Sequence, residues 1–297
     1  PSTIKNQEST KKAESVYNYK TQITLDKITN NMISSIELPV IPIVALKVTR
    51  EANKETADGE TLANLVSKDQ KLAGKLLKMA NSVIYKRAIA TTNIRDAIVR
   101  IGFKQSRDLA IVISGNALFN SANPIEQWLW EMSIATGAGA LVIYDKFFSG
   151  TDLHTLNLAG LMHNLGRVAM YKSNKQKFDQ AMKKACAGDI TIIQAEKDEF
   201  GFSHNEISAA ILSKWEIAPK VVDAVCWYPY CGQNKHLIKE VKQIACAVYL
   251  AETIISNTNI VKPPKKYQEL NRRLTPIFSN MKISNELLKE LSQNIYL

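Results

Sequence analysis

Apolar residues recur at helical spacing along most of the chain. Leu62, Leu65 and Val66 occupy positions i, i+3 and i+4, and a second apolar face continues through Leu72 and Leu76. Residues three or four positions apart lie on the same side of an α-helix. The pattern therefore predicts successive amphipathic helices, each of which buries one face.

Residues that favour helix ends flank several of these segments. Asn93 and Gly102 form a cap pair, and Ser67 or Asp69 is available to begin the Leu-rich helix. We expect Asn81, which follows that helix, to bond backbone groups and to tie the helix to the next segment. Further start signals are Asp58-Gly59, the capping box Ser203-His204-Asn205-Glu206 and Pro219.

Two other stretches are apolar on nearly every side. The stretch from Leu158 to Met170 predicts one helix at the centre of a bundle. Gly137 and Gly139 lie in the other, where they indicate close helix packing rather than a phosphate-binding loop. Gly and Pro together number 21 of 297 residues. Their combined share of the chain is below the average share in proteins, which is about 12%. The predicted fold class is therefore all-α, a multi-helix bundle.

The four cysteines are Cys186, Cys226, Cys231 and Cys246. They are too few and too scattered for a disulfide framework, and none forms a Cys-x-x-Cys pair, which argues against a zinc site. Reduced thiols in a cytoplasmic protein are the interpretation that we adopt. No apolar run approaches the roughly 18 residues of a membrane span.

Positive charge is concentrated in one block. Residues 68–107 hold ten basic side chains against Asp69 and Asp96, which is +8 of the net +10. Four of the ten lie within an arc of about 80° on a helix, and they are Lys68, Lys71, Lys75 and Lys78. We call these four residues the lysine stripe. It is either a solvated face or a docking face for an acidic partner, a nucleotide or nucleic acid.

Several motifs occur in an order that resembles one family, the HD-related output domain or HDOD. The segments that carry the resemblance are Leu38-Pro39-Val40-Ile41-Pro42, Leu62 to Tyr85, Asn93 to Gly102, Leu158 to Gly166, and Glu199 to His204. The resemblance implies an all-helical fold related to HD-type metal-dependent phosphohydrolases, with an N-terminal helical subdomain packed on a degenerate HD-type bundle. It also implies a non-catalytic regulatory role in bacterial signalling.

The same resemblance locates the positions of the HD metal ligands. The first His position holds Met132, the His-Asp pair appears as His163-Asn164, and the distant Asp appears as Glu252. A thioether is a poor ligand for hard divalent metals, and an amide lacks the charge of a carboxylate. At most His163 and Glu252 remain as good ligands, with His204 as a third candidate. We therefore expect no metal, no cofactor and no hydrolysis, and a pocket at these residues that is open to another ligand.

Each of these residues also has a purely structural interpretation. His163 fits a buried neutral imidazole bonded to a helix carbonyl or to Asn164. His204 fits a helix-start residue beside Ser203, and Met132 fits a core side chain. A later His pair of some relatives is Tyr228-Pro229 here.

The predicted organisation has three parts. Residues 1–22 form a mobile polar lead-in, residues 23–256 form the HDOD domain, and residues 257–297 form a basic linker with a C-terminal helix. Within the domain, the N-terminal helical part covers about 23–125 and the HD-like part about 126–256.

The leading functional hypothesis is a cytoplasmic, non-catalytic signalling module that binds a protein partner or a small anionic ligand. One alternative is a divergent metal-dependent phosphohydrolase that acts on a nucleotide or cyclic dinucleotide. The other is a nucleic-acid-binding regulator, which the absence of aromatic residues among the basic ones does not favour.

Overall fold

The structure is a computed structural model, and the regular secondary structure of the residues that it describes is helical. It describes residues 21, 24–26, 28, 43–52, 54, 56–82, 90–116, 119, 122–150, 153–188, 190–231, 237–258 and 260–267. The α-helices are α1 Ile43–Ala52, α2 Gly59–Val66, α3 Gln70–Ala80, α4 Ile94–Ile101, α5 Phe103–Asn116, α6 Pro124–Phe147, α7 Leu153–Met162, α8 Leu165–Ser173, α9 Lys175–Ala187, α10 Ile192–Phe200, α11 His204–Lys214, α12 Pro219–Trp227 and α13 Lys239–Thr258. These ranges contain no β-strand, which confirms the all-α class.

Parts of the predicted organisation fall outside the described ranges. They include the motif at 38–42, nearly all of the lead-in at 1–22 and the C-terminal helix predicted from Glu286 to Tyr296. None of the described helices is both long enough and apolar enough to cross a membrane.

The described residues belong to two compact units. The small unit comprises those between 39 and 118 together with 215–217, and the large unit comprises the rest. Helices α1 to α5 therefore lie in the small unit, and α6 to α13 lie in the large one. Each unit has its own buried apolar residues.

The small unit is built from the amphipathic helices that the apolar periodicity predicts. Helix α1 packs against α2 and α5, and α4 packs against α2 and α3. The predicted apolar faces are its core: Leu62, Val66, Leu72 and Leu76 are all buried. The lysine stripe lies on the opposite side of α3 and in the turn before it.

Most of the predicted helix ends in the small unit are confirmed. Asp58, Asp69 and Asn93 each accept backbone N–H groups at the start of a helix, and Gly102 ends α4 with a φ of 96°, a conformation that favours glycine. Ser67 does not begin a helix, because it ends α2 and its hydroxyl donates to the Ala63 carbonyl.

Asn81 makes the connection predicted for it. Its amide nitrogen donates to the carbonyl of Thr91 at 2.8 Å, and its amide oxygen accepts the N–H of Thr91 at 2.8 Å. The end of α3 is therefore joined to the segment that leads into α4.

Helix α6, with 24 residues, is the longest of the helices described in the large unit. It packs against α7 and α13. A Cβ atom on Gly160 of α7 would lie 2.6 Å from the Cα of Gly137 on α6. The prediction that Gly137 serves close helix packing is confirmed, since the α6 backbone at Gly137 leaves no space for a Cβ atom on Gly160.

The prediction of one continuous helix from Leu158 to Met170 is wrong. Helix α7 ends at Met162, His163 and Asn164 form a turn, and α8 begins at Leu165. The His163 ring nitrogen Nδ1 bonds the Gly160 carbonyl at 2.6 Å, and a side chain that captures a helix carbonyl competes with the backbone for it. Apolar periodicity could not reveal this break, because residues on both sides of it are buried.

Two further segments of the large unit differ in detail from the sequence pattern. Glu206 reaches back to the N–H of Ser203 as in a capping box, but the Ser203 hydroxyl donates to the same carboxylate. Beyond α13, Tyr267 is buried within the predicted basic linker and donates its hydroxyl to Asp179, while its ring lies 6.0 Å from that of Trp128.

Candidate functional site: a buried ion cluster around Arg167

The start of α8 is held against the start of α11. The N–H of Gly166 donates to the Ser208 hydroxyl at 2.7 Å, and that hydroxyl donates to the His163 carbonyl at 2.7 Å. A Cβ atom on Gly166 would lie 2.0 Å from the carbonyl oxygen of His204. Glycine at this position therefore allows the close approach of the two helices, and this approach places the next residue, Arg167, inside the unit.

Arg167 lies at the centre of a buried cluster of polar side chains. Its Nη1 donates to Asn164 Oδ1 and to Glu252 Oε1, each at 2.9 Å, and its Nε donates to Glu196 Oε1 at 3.2 Å. The Arg167 side chain is only 10% exposed. Hydrogen bonds between ionised groups are stronger than those between neutral groups. One guanidinium thus joins the α7–α8 turn, α10 and α13.

His204 extends the cluster to a tyrosine. Its Nδ1 lies 2.5 Å from Glu196 Oε2, and its Nε2 lies 2.5 Å from the hydroxyl of Tyr228. Burial raises the pKa of Tyr228 well above its usual value, so the hydroxyl stays protonated. It therefore donates a hydrogen bond to Nε2 of His204. The Nδ1–H of His204 then donates to Glu196. Neither ring nitrogen of His204 is left to bind a metal.

His163 lies beside the cluster and is fully buried. Because its Nδ1–H donates to the Gly160 carbonyl, its Nε2 is directed elsewhere and lies 3.7 Å from Glu252 Oε1. The ring also meets that of Tyr228 edge-on at 5.4 Å. This is the buried imidazole bonded to a helix carbonyl that the structural interpretation predicted.

The charges in the cluster depend on Arg167. Burial alone would raise the pKa of the Glu252 carboxyl, but the Arg167 guanidinium, together with His163 and His204, outweighs burial and holds the pKa well below its usual range. The bonds from His204 and the charge of Arg167 likewise keep the pKa of Glu196 below its usual value, against the effect of burial. Burial, followed by the charge of Arg167, lowers the pKa of His204, which keeps its ring neutral. Two carboxylates therefore face one guanidinium.

This arrangement does not fit the metal that the resemblance to HD-type phosphohydrolases implies. Asn164 and Glu252, which stand at two of the ligand positions, bind the same nitrogen of Arg167. Met132, at the first His position, is buried on α6 and offers only a thioether. Within the described ranges, no three His, Cys, Asp or Glu side chains are placed to hold one ion. The chain's own cation occupies the space between the carboxylates.

The structure brings together four of the five predicted pocket residues: His163, Asn164, His204 and Glu252 all belong to the cluster. Sequence reasoning missed Arg167 and Glu196, and it named Tyr228 only as the residue at a His position. A single basic residue within the apolar stretch that ends at Met170 is the signal that could have identified Arg167.

The lysine stripe is exposed at three of its four positions, Lys68, Lys71 and Lys78, and Lys75 is half-buried. Gly74 lies between these lysines in open space. Elsewhere in the basic block, Arg95 pairs with Glu60 and Arg107 with Asp108. Among the contacts of the described residues, the stripe lysines have no such carboxylate partner.

Comparison with known proteins identifies a family. The family model described as HDOD domain matches residues 38–229 of the chain. An uncharacterised protein of Treponema pallidum (strain Nichols) is 22% identical over an alignment of 271 residues, and the match covers 88% of this chain and 50% of the relative. The chain thus spans half the length of the curated relative that it matches.

Solved structures show the same fold at low identity. An HDOD domain protein of unknown function from Geobacter sulfurreducens is 20% identical, with a TM-score of 0.63, and the match covers 92% of this chain and 97% of that one. A Shewanella amazonensis protein, provisionally described as a phosphohydrolase, is 19% identical, with a TM-score of 0.64 and coverage of 92% and 96%. A Marinobacter aquaeolei protein, provisionally described as a signal transduction protein, is 17% identical, with a TM-score of 0.61 and coverage of 94% and 67%.

Proposed function

Because this chain belongs to the HDOD domain family, we propose that it is a non-catalytic signal-transduction module that acts by binding a partner. The observation that carries the proposal is the position of Arg167. Its guanidinium binds Asn164 and Glu252, at two positions where an HD-type phosphohydrolase would hold its metal.

Metal-dependent hydrolysis needs a divalent ion that activates water and neutralises the phosphate. Such an ion would have to share Glu252 with a guanidinium only 2.9 Å from that carboxylate. Repulsion between two cations at a separation of a few ångströms is strong in a buried site. Arg167 would have to leave before a metal could enter, and its departure would also leave Glu196 without its cation.

The first prediction concerns metal and hydrolysis. The purified full chain should contain well below one equivalent of Mn, Fe, Zn or Mg by elemental mass spectrometry. It should also fail to hydrolyse p-nitrophenyl phosphate, bis-p-nitrophenyl phosphate and cyclic dinucleotides when Mn²⁺ or Mg²⁺ is added.

The matched control for this measurement is His163→Ala. If the parent holds about one or two tight metal ions per chain and turns over a substrate, and His163→Ala abolishes that turnover, the chain is a divergent phosphohydrolase instead. Activity that survives in His163→Ala indicates a contaminating enzyme.

We propose the lysine stripe as the surface that docks the partner. Its positive charges are not balanced by described carboxylates, and a Cβ atom on Gly74, which lies among the four lysines, would meet nothing within 4 Å. Like charges placed together oppose folding slightly, whereas a positive surface speeds encounter with an acidic partner. The chemistry favours an acidic protein surface, because no aromatic side chain interrupts the stripe to stack on a base.

The second prediction concerns this stripe. Replacing Lys68, Lys71, Lys75 and Lys78 by Gln should leave the unfolding temperature nearly unchanged, because exposed charges contribute little to stability. Crosslinking to native acidic proteins should fall by at least about tenfold and lose its salt dependence.

The control replaces four exposed lysines of the large unit, Lys175, Lys177, Lys183 and Lys214. It changes the net charge by the same amount and should retain the crosslinks. Equal losses in the two variants would mean that only net charge matters. Tighter binding of duplex DNA or RNA than of any protein, lost only in the stripe variant, would favour the nucleic-acid-binding alternative.

A further inference from the structure

The chain continues past α13 as a short segment that packs on the large unit. We call residues 260–267 the C-terminal strap. They lie beyond residues 38–229, which the family model matches. The regular structure described in the strap is the 3-10 helix Lys265–Tyr267, and a single turn of this kind has little stability of its own. The position of the strap therefore depends on what its side chains contact.

The strap inserts Tyr267 between aromatic side chains of the large unit. Tyr267 is 1% exposed, and its ring lies 6.0 Å from that of Trp128 on α6 and 6.3 Å from that of Phe178 on α9. The Phe178 ring lies 5.4 Å from that of Tyr171 on α8. Aromatic contacts at these distances stabilise beyond the area that they bury. We call Trp128, Tyr171 and Phe178 the aromatic slot.

One carboxylate beside the aromatic slot binds the last two residues of the strap. Asp179, the neighbour of Phe178 on α9, accepts hydrogen bonds from the Tyr267 hydroxyl and, at 2.8 Å, from Lys266 Nζ. Lys266 Nζ also lies 4.9 Å from the centre of the Tyr267 ring, where a cation is attracted to the aromatic face. The slot and Asp179 together therefore recognise a lysine that is followed by a tyrosine.

The strap leaves one polar group of the aromatic slot unsatisfied. Trp128 is 6% exposed, yet its Nε1–H has no hydrogen-bond partner among the described residues. An indole nitrogen can only donate, and a buried donor without an acceptor costs free energy. A segment that placed a carbonyl oxygen at this nitrogen would bind the slot without that cost.

We propose that the aromatic slot and Asp179 form a docking site for a Lys-Tyr segment of a partner protein, and that the strap occupies this site as an internal competitor. The site is a different surface from the lysine stripe and does not depend on it. A tethered segment has a high effective concentration at its own site. The strap thus excludes weak ligands, and a partner segment that also satisfies Trp128 can displace it.

The test uses a fluorescent peptide with the sequence of residues 260–267 and full-length variants of this chain. Fluorescence anisotropy should show at least about tenfold tighter binding of the peptide to Tyr267→Ala than to the parent, because the variant's own strap no longer competes. Adding Asp179→Asn to Tyr267→Ala should weaken binding by at least about tenfold, since both hydrogen bonds to the carboxylate lose its charge.

Two controls accompany this measurement. A peptide with alanine in place of its tyrosine should show no binding to Tyr267→Ala. Adding Asp145→Asn to Tyr267→Ala removes an exposed carboxylate that lies about 25 Å along α6 from Trp128, and it should leave the affinity unchanged. Equal binding of the tyrosine and alanine peptides to Tyr267→Ala would overturn the proposal, and so would equal binding of the tyrosine peptide to Tyr267→Ala and the parent.

A second measurement needs no substitution. Excess unlabelled peptide should raise the deuterium uptake of the strap in the parent, followed by mass spectrometry in fragments that also contain the end of α13. The alanine peptide should leave this uptake unchanged. If Tyr267→Ala fails to fold, this measurement decides alone, and strap uptake that does not respond to the tyrosine peptide at millimolar concentration contradicts displacement.

Discussion

Arg167→Met should lower the free energy of unfolding by about 3–5 kcal/mol, the usual cost of removing one partner from a buried ion pair. Methionine fills much of the same volume, so the loss comes from the carboxylates of Glu196 and Glu252, which keep their burial but lose their cation. Urea denaturation of the parent and the variant, followed by circular dichroism, measures the difference.

The loss should depend on pH in a defined direction. In the parent, both carboxyl groups have a lowered pKa in the folded state, so they stabilise the fold above their ordinary value of 4.5 and less as the pH falls below it. In the variant, Glu252 loses the largest of the interactions that oppose the effect of burial, so the pKa of its carboxyl rises and its protonation stabilises the folded state. The difference in the free energy of unfolding between the parent and Arg167→Met should therefore be largest near neutral pH and should become smaller in acid.

Two further variants make the result interpretable. Arg167→Lys keeps the charge but loses the forked geometry, so its stability should lie between those of the parent and Arg167→Met. Lys184→Met removes an exposed pair with Glu199 and should change stability by less than about 1 kcal/mol. Equal stability of the parent and Arg167→Met at neutral pH would contradict the role given to the guanidinium.

Gly166→Ala should be destabilising by at least about 3 kcal/mol, although it adds one methyl group. The new Cβ would lie 2.0 Å from the carbonyl oxygen and 2.8 Å from the carbonyl carbon of His204. Backbone atoms cannot rotate away as a flexible side chain would, so α8 would have to move off α11. That movement would also break the bond from the Gly166 N–H to Ser208. Thermal unfolding followed by circular dichroism, together with soluble yield, measures the effect.

Gly74→Ala is the matched control. A Cβ at position 74 of α3 meets nothing within 4 Å, so this change should stabilise the chain by about 0.5–1 kcal/mol through helix propensity. If Gly166→Ala were as stable as the parent, the close approach of α8 and α11 would not be needed for folding.

The sequence predicted those parts of the fold that depend on local chemistry. Short side chains at Asp58, Asp69 and Asn93 begin helices, and Asn81 bonds the backbone, because each acts within about ten residues of its own position. The site was predicted less completely. Position in the family pattern identified His163 and Glu252. Glu196, the partner of Arg167 on α10, has no local signal in the sequence. It resembles any acidic residue of a surface helix, because only the tertiary fold buries it.

The break between α7 and α8 was missed for a related reason. Apolar periodicity identifies a helix that has one solvent-exposed face, whereas residues from 158 to 170 are buried on nearly all sides. The bond from the His163 ring to the Gly160 carbonyl lies where α7 ends, and no apolar pattern predicts that bond.

The bonds of Arg167 also have a consequence for the order of events in folding. Its partners Asn164, Glu196 and Glu252 are 3, 29 and 85 residues away along the chain. Long loops cost more entropy to close, so the pair with Glu252 should form after the transition state. Interactions formed that late change the unfolding rate and leave the folding rate almost unaltered, which stopped-flow kinetics of the Arg167→Met protein would show. Arg167 would then determine how long the folded large unit persists rather than how quickly it forms.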